Sequence, residues 1–146
     1  MAGGMARSST RRTEAARQRT TGAALIVSSS PANRIILSNS LKLVKCRPQF
    51  MDPSGPAGDL DGADVSVAVL DETGGESASD QLVDALIRLR DSRGDGLPRI
   101  IIIARQKPFD GTVKLAMAAN AIITLPLTPE KIQCTVTDLL QDFSTH

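Results

Sequence analysis

Short aliphatic runs recur along the chain, and most of them end at polar or turn-forming residues. The run Val65-Ser66-Val67-Ala68-Val69-Leu70 ends at Asp71, which residues 72–75 follow as a turn. Residues 99–104 include four successive isoleucines. Apolar runs of this length are typical of strands that are buried on both faces of a parallel sheet. Weaker patterns of the same kind predict further strands over residues 23–27, 46–51 and 121–124.

Helical patterns separate these predicted strands. Pro31 suits the first turn of a helix that is capped by Ser30 and runs to about Lys45. Ser79 is predicted to cap a second helix, which runs to about Arg90. Two more helices are predicted over residues 111–119 and 128–142.

The segment 52–63, between the second and third predicted strands, lacks a helical pattern. It contains two prolines and three glycines, so we expect an irregular loop or a single turn. Strands that otherwise alternate with helices predict an α/β fold with a doubly wound, five-stranded parallel sheet. We expect the strand order 2-1-3-4-5, with the second helix reduced or lost. The loop 28–30 then lies beside Asp71, in the crevice where such sheets bind ligands.

Composition indicates one domain with a basic extension. Residues 1–22 hold five arginines and one glutamate and are otherwise mostly Gly, Ser, Thr and Ala with almost nothing to bury, which predicts a disordered basic tail before a domain at 23–143. Aromatic residues make up 2% of the chain, so we expect no nucleic-acid surface built on base stacking. No apolar run has the roughly 20 residues of a membrane helix. Cys46 and Cys134 match no disulfide or metal-site spacing, and we expect a cytoplasmic protein.

Arginines gather around the end of the second predicted helix and the start of the fourth predicted strand. They are Arg88, Arg90, Arg93 and Arg99. Positive charge is favourable at a helix C-terminus, which explains part of this cluster.

Four motifs at the ends of the predicted strands resemble those of response-regulator receiver domains in two-component systems. The motifs are Ser28-Ser29-Ser30-Pro31 after the first strand, Asp71 after the third, Pro98 to Ala104 across the fourth, and Leu125-Pro126 after the fifth. The resemblance covers about four-fifths of the chain and implies a flavodoxin-like, CheY-like fold. It also implies that Asp71 stands at the phosphoacceptor position.

The chain departs from the receiver pattern at the other pocket positions. Ser28 and Ser29 replace the acid pair that would hold Mg²⁺, Ala104 replaces a hydroxyl residue, and Leu125 replaces a lysine. Because a Mg²⁺ site needs several oxygen ligands with at least one or two carboxylates, we expect no metal and no cofactor. These four substitutions together predict a degenerate, neutral pocket.

We therefore expect a pseudo-receiver, that is, a receiver-like module that binds proteins without phosphorylation. The resemblance implies a histidine kinase, a phosphotransfer protein or another signalling protein as the partner, bound through residues 111–142, and a homodimer is compatible with it. We expect neither a membrane contact nor an enzymatic activity, since no nucleophile–base pair is visible.

Two alternatives stay open. In the first, Asp71 is a genuine phosphoacceptor in an atypical pocket, with Asp64, Glu72 and Glu76 as candidate metal ligands, although Asp64 begins the strand that Asp71 ends. In the second, the turn 28–31 binds a small anion or nucleotide, because hydroxyls beside a helix N-terminus can hold phosphate.

Overall fold

The computed structural model describes residues 22–55, 60, 64–74, 76–106, 109 and 111–144. Strands and helices alternate through this part of the chain. The strands are β1 (Ala23–Val27), β2 (Arg47–Met51), β3 (Val65–Asp71), β4 (Arg99–Ala104) and β5 (Ala121–Thr124). The helices are α1 (Pro31–Leu43), α2 (Asp80–Arg93), α3 (Val113–Ala118) and α4 (Pro129–Ser144). Each predicted strand is therefore present.

The strands form one parallel sheet in the order β2-β1-β3-β4-β5, which confirms the predicted topology. The predicted tail falls almost wholly on residues 1–21, which lie outside the described residues. Gly22 already belongs to the sheet region, because its N–H donates to Ser66 Oγ and its carbonyl accepts from Arg47 N–H.

The sheet has an apolar layer on each face because its strand residues alternate between two buried clusters. Alternate isoleucines of β4 divide between the clusters, with Ile100 and Ile102 on one face and Ile101 and Ile103 on the other. Helices α2 and α3 cover the first face, and α1 and α4 cover the second. Burial on both faces explains why these strands are continuously apolar in sequence.

The crossover from β2 to β3 has no α-helix in its described part, where Leu60 lies in a 3₁₀ turn, and this agrees with the predicted irregular loop or single turn. Leu60 lies in this segment with only 4% of its surface exposed, and it packs in the same cluster as α2. Met51 packs against that cluster from the end of β2. Because a doubly wound sheet needs both faces covered, Leu60 supplies apolar cover where the second helix is missing.

Strand β2 lies at the edge of the sheet, and Pro48 suits that position. Arg47 N–H bonds to the Gly22 carbonyl on the β1 side, so the backbone groups of Pro48 and Phe50 point to the free edge. Proline has no N–H, so it leaves no donor unpaired there. Arg34 of α1 lies over the exposed Phe50 ring, 5.7 Å from its centroid.

Helix α1 ends two residues before the predicted Lys45, because the backbone turns back on itself there. Lys45 has a φ of 65°, its N–H donates to the Lys42 carbonyl, and Cys46 N–H donates to the Leu41 carbonyl. This pair of bonds is a Schellman motif, which satisfies carbonyls at the helix end. A lysine thus occupies a left-handed position that usually holds glycine.

The other helix ends differ from the predicted ends by up to three residues. Helix α2 continues past Arg90 to Arg93 and stops at Gly94, whose φ is 71°. The predicted N-caps Ser30 and Ser79 are confirmed, since each side chain accepts a backbone N–H from the first turn. Helix α3 covers the middle of the predicted segment 111–119, and α4 extends to Ser144.

Both cysteines are free thiols in different surroundings. Cys46 is buried in the core between α1 and the sheet, and burial raises the pKa of its thiol to about 11. Cys134 is exposed on α4. Among the described residues, no helix combines the length and the apolar content that crossing a membrane requires.

We predict that Lys45→Gly stabilises the protein by about 0.5–1 kcal/mol, because glycine adopts positive φ without a Cβ clash. Urea unfolding followed by circular dichroism measures this change. Lys42→Gly is the matched control, since it places glycine inside α1 and should cost up to about 1 kcal/mol. A lower urea midpoint for Lys45→Gly would show that the lysine is not strained.

Candidate functional site

The candidate site lies where β1, β3 and β4 end side by side. Asp71 is the last residue of β3 and is buried, with 4% of its surface exposed. Ser28 follows β1 directly and is fully buried. Ala104 ends β4 and is also buried. The structure thus brings three of the sequence-predicted positions together at the carboxyl ends of the strands, which is where open α/β sheets place their functional residues.

The carboxylate of Asp71 accepts four hydrogen bonds. Ser28 Oγ and Asn33 Nδ2 donate to Oδ2 over 2.7 and 3.0 Å. Thr73 donates to Oδ1 twice, from Oγ1 over 2.6 Å and from its backbone N–H over 3.0 Å. Asn33 Nδ2 also donates to Thr73 Oγ1 over 3.2 Å, which links the first turn of α1 to the loop after β3. We call Ser28, Asn33 and Thr73 the donor set of Asp71.

Local backbone geometry places this donor set. Ser30 caps α1 and accepts the N–H of Asn33, which fixes Asn33 in the first helical turn with its side chain toward β3. Thr73 lies two residues after Asp71, and its backbone N–H closes an Asx turn on the Asp71 side chain. Ser28 is held from the other side, because its Oγ accepts the Ser30 N–H.

The donor set keeps Asp71 ionised. Burial alone would raise the pKa of this carboxyl, but hydrogen bonds from Thr73, Asn33 and Ser28 lower it below its usual value. All four bonds come from neutral groups, and Asp71 has no salt bridge among the described residues. The negative charge is therefore stabilised by oriented dipoles in place of a cation.

Three cationic side chains near this edge bond to the backbone. Each donates to carbonyl oxygens of a strand end or loop. Arg34 donates to the Ser28 carbonyl, Arg105 to the Thr73 carbonyl, and Lys131 to the carbonyls of Thr124 and Pro126. Arg34 also forms a salt bridge with the exposed Asp52 over 2.9 Å. These cations fix the loops around Asp71, and the described hydrogen bonds do not join them to its carboxylate.

The other predicted pocket positions lie in different surroundings. Ser29 is exposed beside Gly74, and a Cβ on that glycine would lie 3.1 Å from Ser29 Oγ. Leu125 is 40% exposed, and the peptide bond between it and Pro126 is cis. Ala104 lines a cleft of about 300 Å³ with Glu72, Arg105, Gln106 and Phe109. The cleft beside Ala104 holds one carboxylate and one guanidinium, whose formal charges cancel.

The carboxylates considered as metal ligands are not gathered around Asp71. Asp64 lies at the opposite end of β3, where its carboxylate is 3.9 Å from Arg93. Glu72 accepts hydrogen bonds from Ser77 Oγ and from the Ala78 N–H. Across the described part of the chain, no group of three or more His, Cys, Asp or Glu could hold a metal ion. One carboxylate with hydroxyl and amide donors does not fit the ligand set of Mg²⁺.

Sequence reasoning missed Asn33 and Thr73. The local signal for Thr73 is the sequence Asp-Glu-Thr-Gly directly after a strand, which is typical of an Asx turn. Asn33 has no comparable signal, since its partner is 38 residues away.

No protein-family model and no curated protein sequence matches the chain. Solved structures of receiver domains share its fold. A CheY-like response regulator receiver domain protein from Methanospirillum hungatei superposes with a TM-score of 0.63 at 17% identity, over 86% of this chain and 99% of that chain.

Two further similar structures carry ligands. The receiver domain of a sensor histidine kinase from Pseudomonas aeruginosa, with a magnesium ion coordinated in its active-site cleft, has a TM-score of 0.64 at 12% identity, over 81% of this chain and 96% of its own. Response regulator TrrA from Thermotoga maritima, in complex with Mg²⁺-BeF, has a TM-score of 0.60 at 16% identity, with 81% and 98% covered. At these identities the comparisons establish the fold.

We predict that Asp71→Asn destabilises the protein at pH 7 by about 1–3 kcal/mol, because an amide cannot accept bonds from all four donors. The folded-state pKa of Asp71 is lowered, so this stabilisation is present above the unfolded pKa of about 3.9 and is lost as pH falls through the folded pKa. The difference between the two proteins should therefore shrink below about pH 4. Urea unfolding of both proteins from pH 7 to pH 3 measures it.

Asp138→Asn is the control for this experiment, because Asp138 is an exposed carboxylate on α4 and should change stability by less than about 0.5 kcal/mol. An Asp71→Asn protein that is more stable than the parent at pH 7 would contradict the stabilising role of the donor set.

Proposed function

We propose that this chain, which has the CheY-like receiver fold, is a pseudo-receiver that acts by binding another protein in two-component or phosphorelay signalling. In this proposal it works in the cytoplasm without phosphorylation of Asp71, without Mg²⁺ and without an enzymatic activity of its own.

The observation that carries the proposal is the saturated carboxylate of Asp71. An ionised carboxylate has about four lone-pair sites, and four hydrogen bonds already occupy those of Asp71. A phosphoryl group can be attached only if an oxygen gives up one or more of these bonds. Hydrogen bonds to charged groups contribute about 1.5–3 kcal/mol each, so attack from this carboxylate is opposed before any chemistry begins.

The surroundings of Asp71 add a second obstacle. Phosphoryl transfer depends almost wholly on positioning and on electrostatic stabilisation of the transferred group. Ser28 and Ser29 stand at the metal-holding positions, and Leu125 stands where the receiver pattern has a lysine. An acyl phosphate carries roughly −1.5 to −2 charges, and a unit charge pair at 4 Å gives about 4 kcal/mol at an effective dielectric of 20. Loss of both cations therefore removes several such contributions.

An apolar surface supports the proposed partner contact. Val113 and Met117 on α3 are 74% and 81% exposed, and Leu125 is also exposed. All three lie within residues 111–142, the segment predicted to bind a histidine kinase, a phosphotransfer protein or a second copy of the chain. Side chains four apart share one face of a helix, so Val113 and Met117 present a single apolar contact.

One observation favours the alternative in which Asp71 is a phosphoacceptor. The carboxyl has a lowered pKa, so it is ionised at neutral pH as a nucleophile must be. The anion or nucleotide site at residues 28–31 has less support, because the Ser30 and Asn33 N–H groups that would face an anion already bond to Ser28 Oγ and Ser30 Oγ.

We predict that beryllofluoride with Mg²⁺ produces no saturable shift at Asp71 or in β5 in the ¹H–¹⁵N spectrum of the protein. The saturated carboxylate and the absent acid pair are the reasons. A variant that combines Ser28→Asp, Ser29→Asp, Ala104→Thr and Leu125→Lys restores the receiver pattern and serves as the positive control. Saturable shifts in the parent protein, running from Asp71 to Ala121–Thr124, would establish a phosphorylation switch and overturn the proposal.

We predict that Met117→Lys weakens partner binding by about tenfold or more, because it places an unpaired charge in an apolar contact, and tenfold corresponds to about 1.4 kcal/mol. Binding is measured by biolayer interferometry against purified histidine kinases and phosphotransfer proteins from the source organism, and by sedimentation for a second copy. Leu43→Lys is the matched control, because Leu43 is 72% exposed on α1, outside residues 111–142. Loss of binding in Leu43→Lys but not in Met117→Lys would show that the interface lies on another face, outside residues 111–142.

A further inference from the structure

The cleft beside Ala104 is not used by the proposed function. Its volume is about 300 Å³, and Glu72, Ala104, Arg105, Gln106 and Phe109 line it. These residues belong to the end of β4 and to the loops that follow β3 and β4. Small-ligand sites begin at about this volume, and a water molecule takes about 30 Å³ of liquid, so the cleft can hold a molecule of about ten non-hydrogen atoms.

Arg105 brings a positive charge to this cleft. Its side chain is exposed, and its Nε donates to the Thr73 carbonyl over 2.9 Å, which anchors the guanidinium to the loop after β3. Among the described residues, its terminal Nη1 and Nη2 groups have neither a hydrogen bond nor a salt bridge. The guanidinium therefore keeps a pair of parallel donors for a ligand, and such a pair suits a carboxylate.

Glu72 brings a negative charge that the loop holds in place. Its carboxylate accepts hydrogen bonds from Ser77 Oγ and from the Ala78 N–H, and its backbone N–H donates to the Ile103 carbonyl near the end of β4. These contacts leave a lone pair on each carboxylate oxygen. Within the described part of the chain, no salt bridge joins Glu72 to Arg105 or to another cation. Two opposite charges thus line one cleft without pairing with each other.

Ala104 and Phe109 give the cleft an apolar surface. Ala104 is buried at the end of β4, and Phe109 packs against the core cluster to which Ala104 belongs. Gly111 allows the phenyl ring to lie close to the backbone, because a Cβ at this glycine would be 2.1 Å from Phe109 Cζ. The cleft therefore combines one cation, one anion and an apolar contact.

We infer that this cleft binds a free α-amino acid with a neutral, apolar side chain. The ligand carboxylate accepts hydrogen bonds from the Nη groups of Arg105, and its ammonium group donates to the Glu72 carboxylate. The ligand side chain lies against Ala104 and Phe109. A ligand with a single charge would leave either Arg105 or Glu72 unpaired, whereas a zwitterion pairs with both. This site is independent of the proposed partner contact, since it shares no residue with the apolar surface on α3.

The test is a titration of ¹⁵N-labelled protein with L-leucine, L-methionine and L-alanine, one at a time, followed in the ¹H–¹⁵N spectrum. We expect the amide signals of Glu72, Arg105 and Gln106 to shift saturably with L-leucine and L-methionine, in the millimolar range that so small a ligand allows. L-alanine should bind more weakly, because its methyl group makes less apolar contact.

Two analogues of L-leucine separate the charges. The first, 4-methylpentanoate, lacks the amino group, and the second, 3-methylbutylamine, lacks the carboxyl group. Each should bind to the parent protein about tenfold more weakly than L-leucine or worse, because a hydrogen-bonded charge pair is lost. In Arg105→Gln, L-leucine should bind no better than 3-methylbutylamine. In Glu72→Gln, it should bind no better than 4-methylpentanoate. General damage to the loops would not produce this crossed pattern.

Arg88→Gln is the matched control, because Arg88 is an exposed arginine on α2 outside the cleft and its loss should leave binding unchanged. The absence of a saturable shift with both L-leucine and L-methionine would overturn the inference. So would equal binding of L-leucine and 4-methylpentanoate to the parent protein, which would show a site for carboxylates only.

Discussion

A buried carboxylate is stable only if its charge is met by donors or cations, and the loops at the carboxyl ends of β1 and β3 are arranged around that requirement. The donors to Asp71 come from one residue after β1, one in the first turn of α1 and one in the β3–α2 loop. Because all are short neutral side chains, each must be placed within hydrogen-bonding distance by its own backbone. The Ser30 cap and the Asx turn at Thr73 are therefore part of the same electrostatic arrangement.

The two ends of the strands hold charged groups of opposite sign, Asp71 at the carboxyl end of β3 and Arg99 at the amino end of β4. At the carboxyl ends of the strands, the negative charge of Asp71 is stabilised by four hydrogen bonds from neutral groups. At the amino ends, Arg90 is fixed by neutral oxygens and the Nε of Arg99 is left without a partner. Within the described residues, the negative charge of Asp71 thus has four hydrogen-bond donors, whereas one donor of Arg99 has no acceptor.

The sheet was predictable from sequence because each strand is a short aliphatic run, and burial on both faces demands such runs. Helix ends were less predictable, because they depend on backbone conformation: Lys45 adopts a left-handed φ that its side chain does not indicate. In the site, Asp71 and Ser28 could be placed together from topology alone. Asn33 could not, since its contact depends on the pitch of α1 above a strand 38 residues away.

Pro48 affects whether β2 can pair with a strand from another chain. The free edge of β2 offers the single N–H of Phe50 from its two outward-facing residues, so an incoming strand finds no regular ladder to extend. The sheet is thereby protected against fibrous growth at the strand where a missing helix leaves it least covered. Pairing of β2 with a strand from another chain is thereby disfavoured, which leaves side chains on helices and loops as the contact groups of this protein.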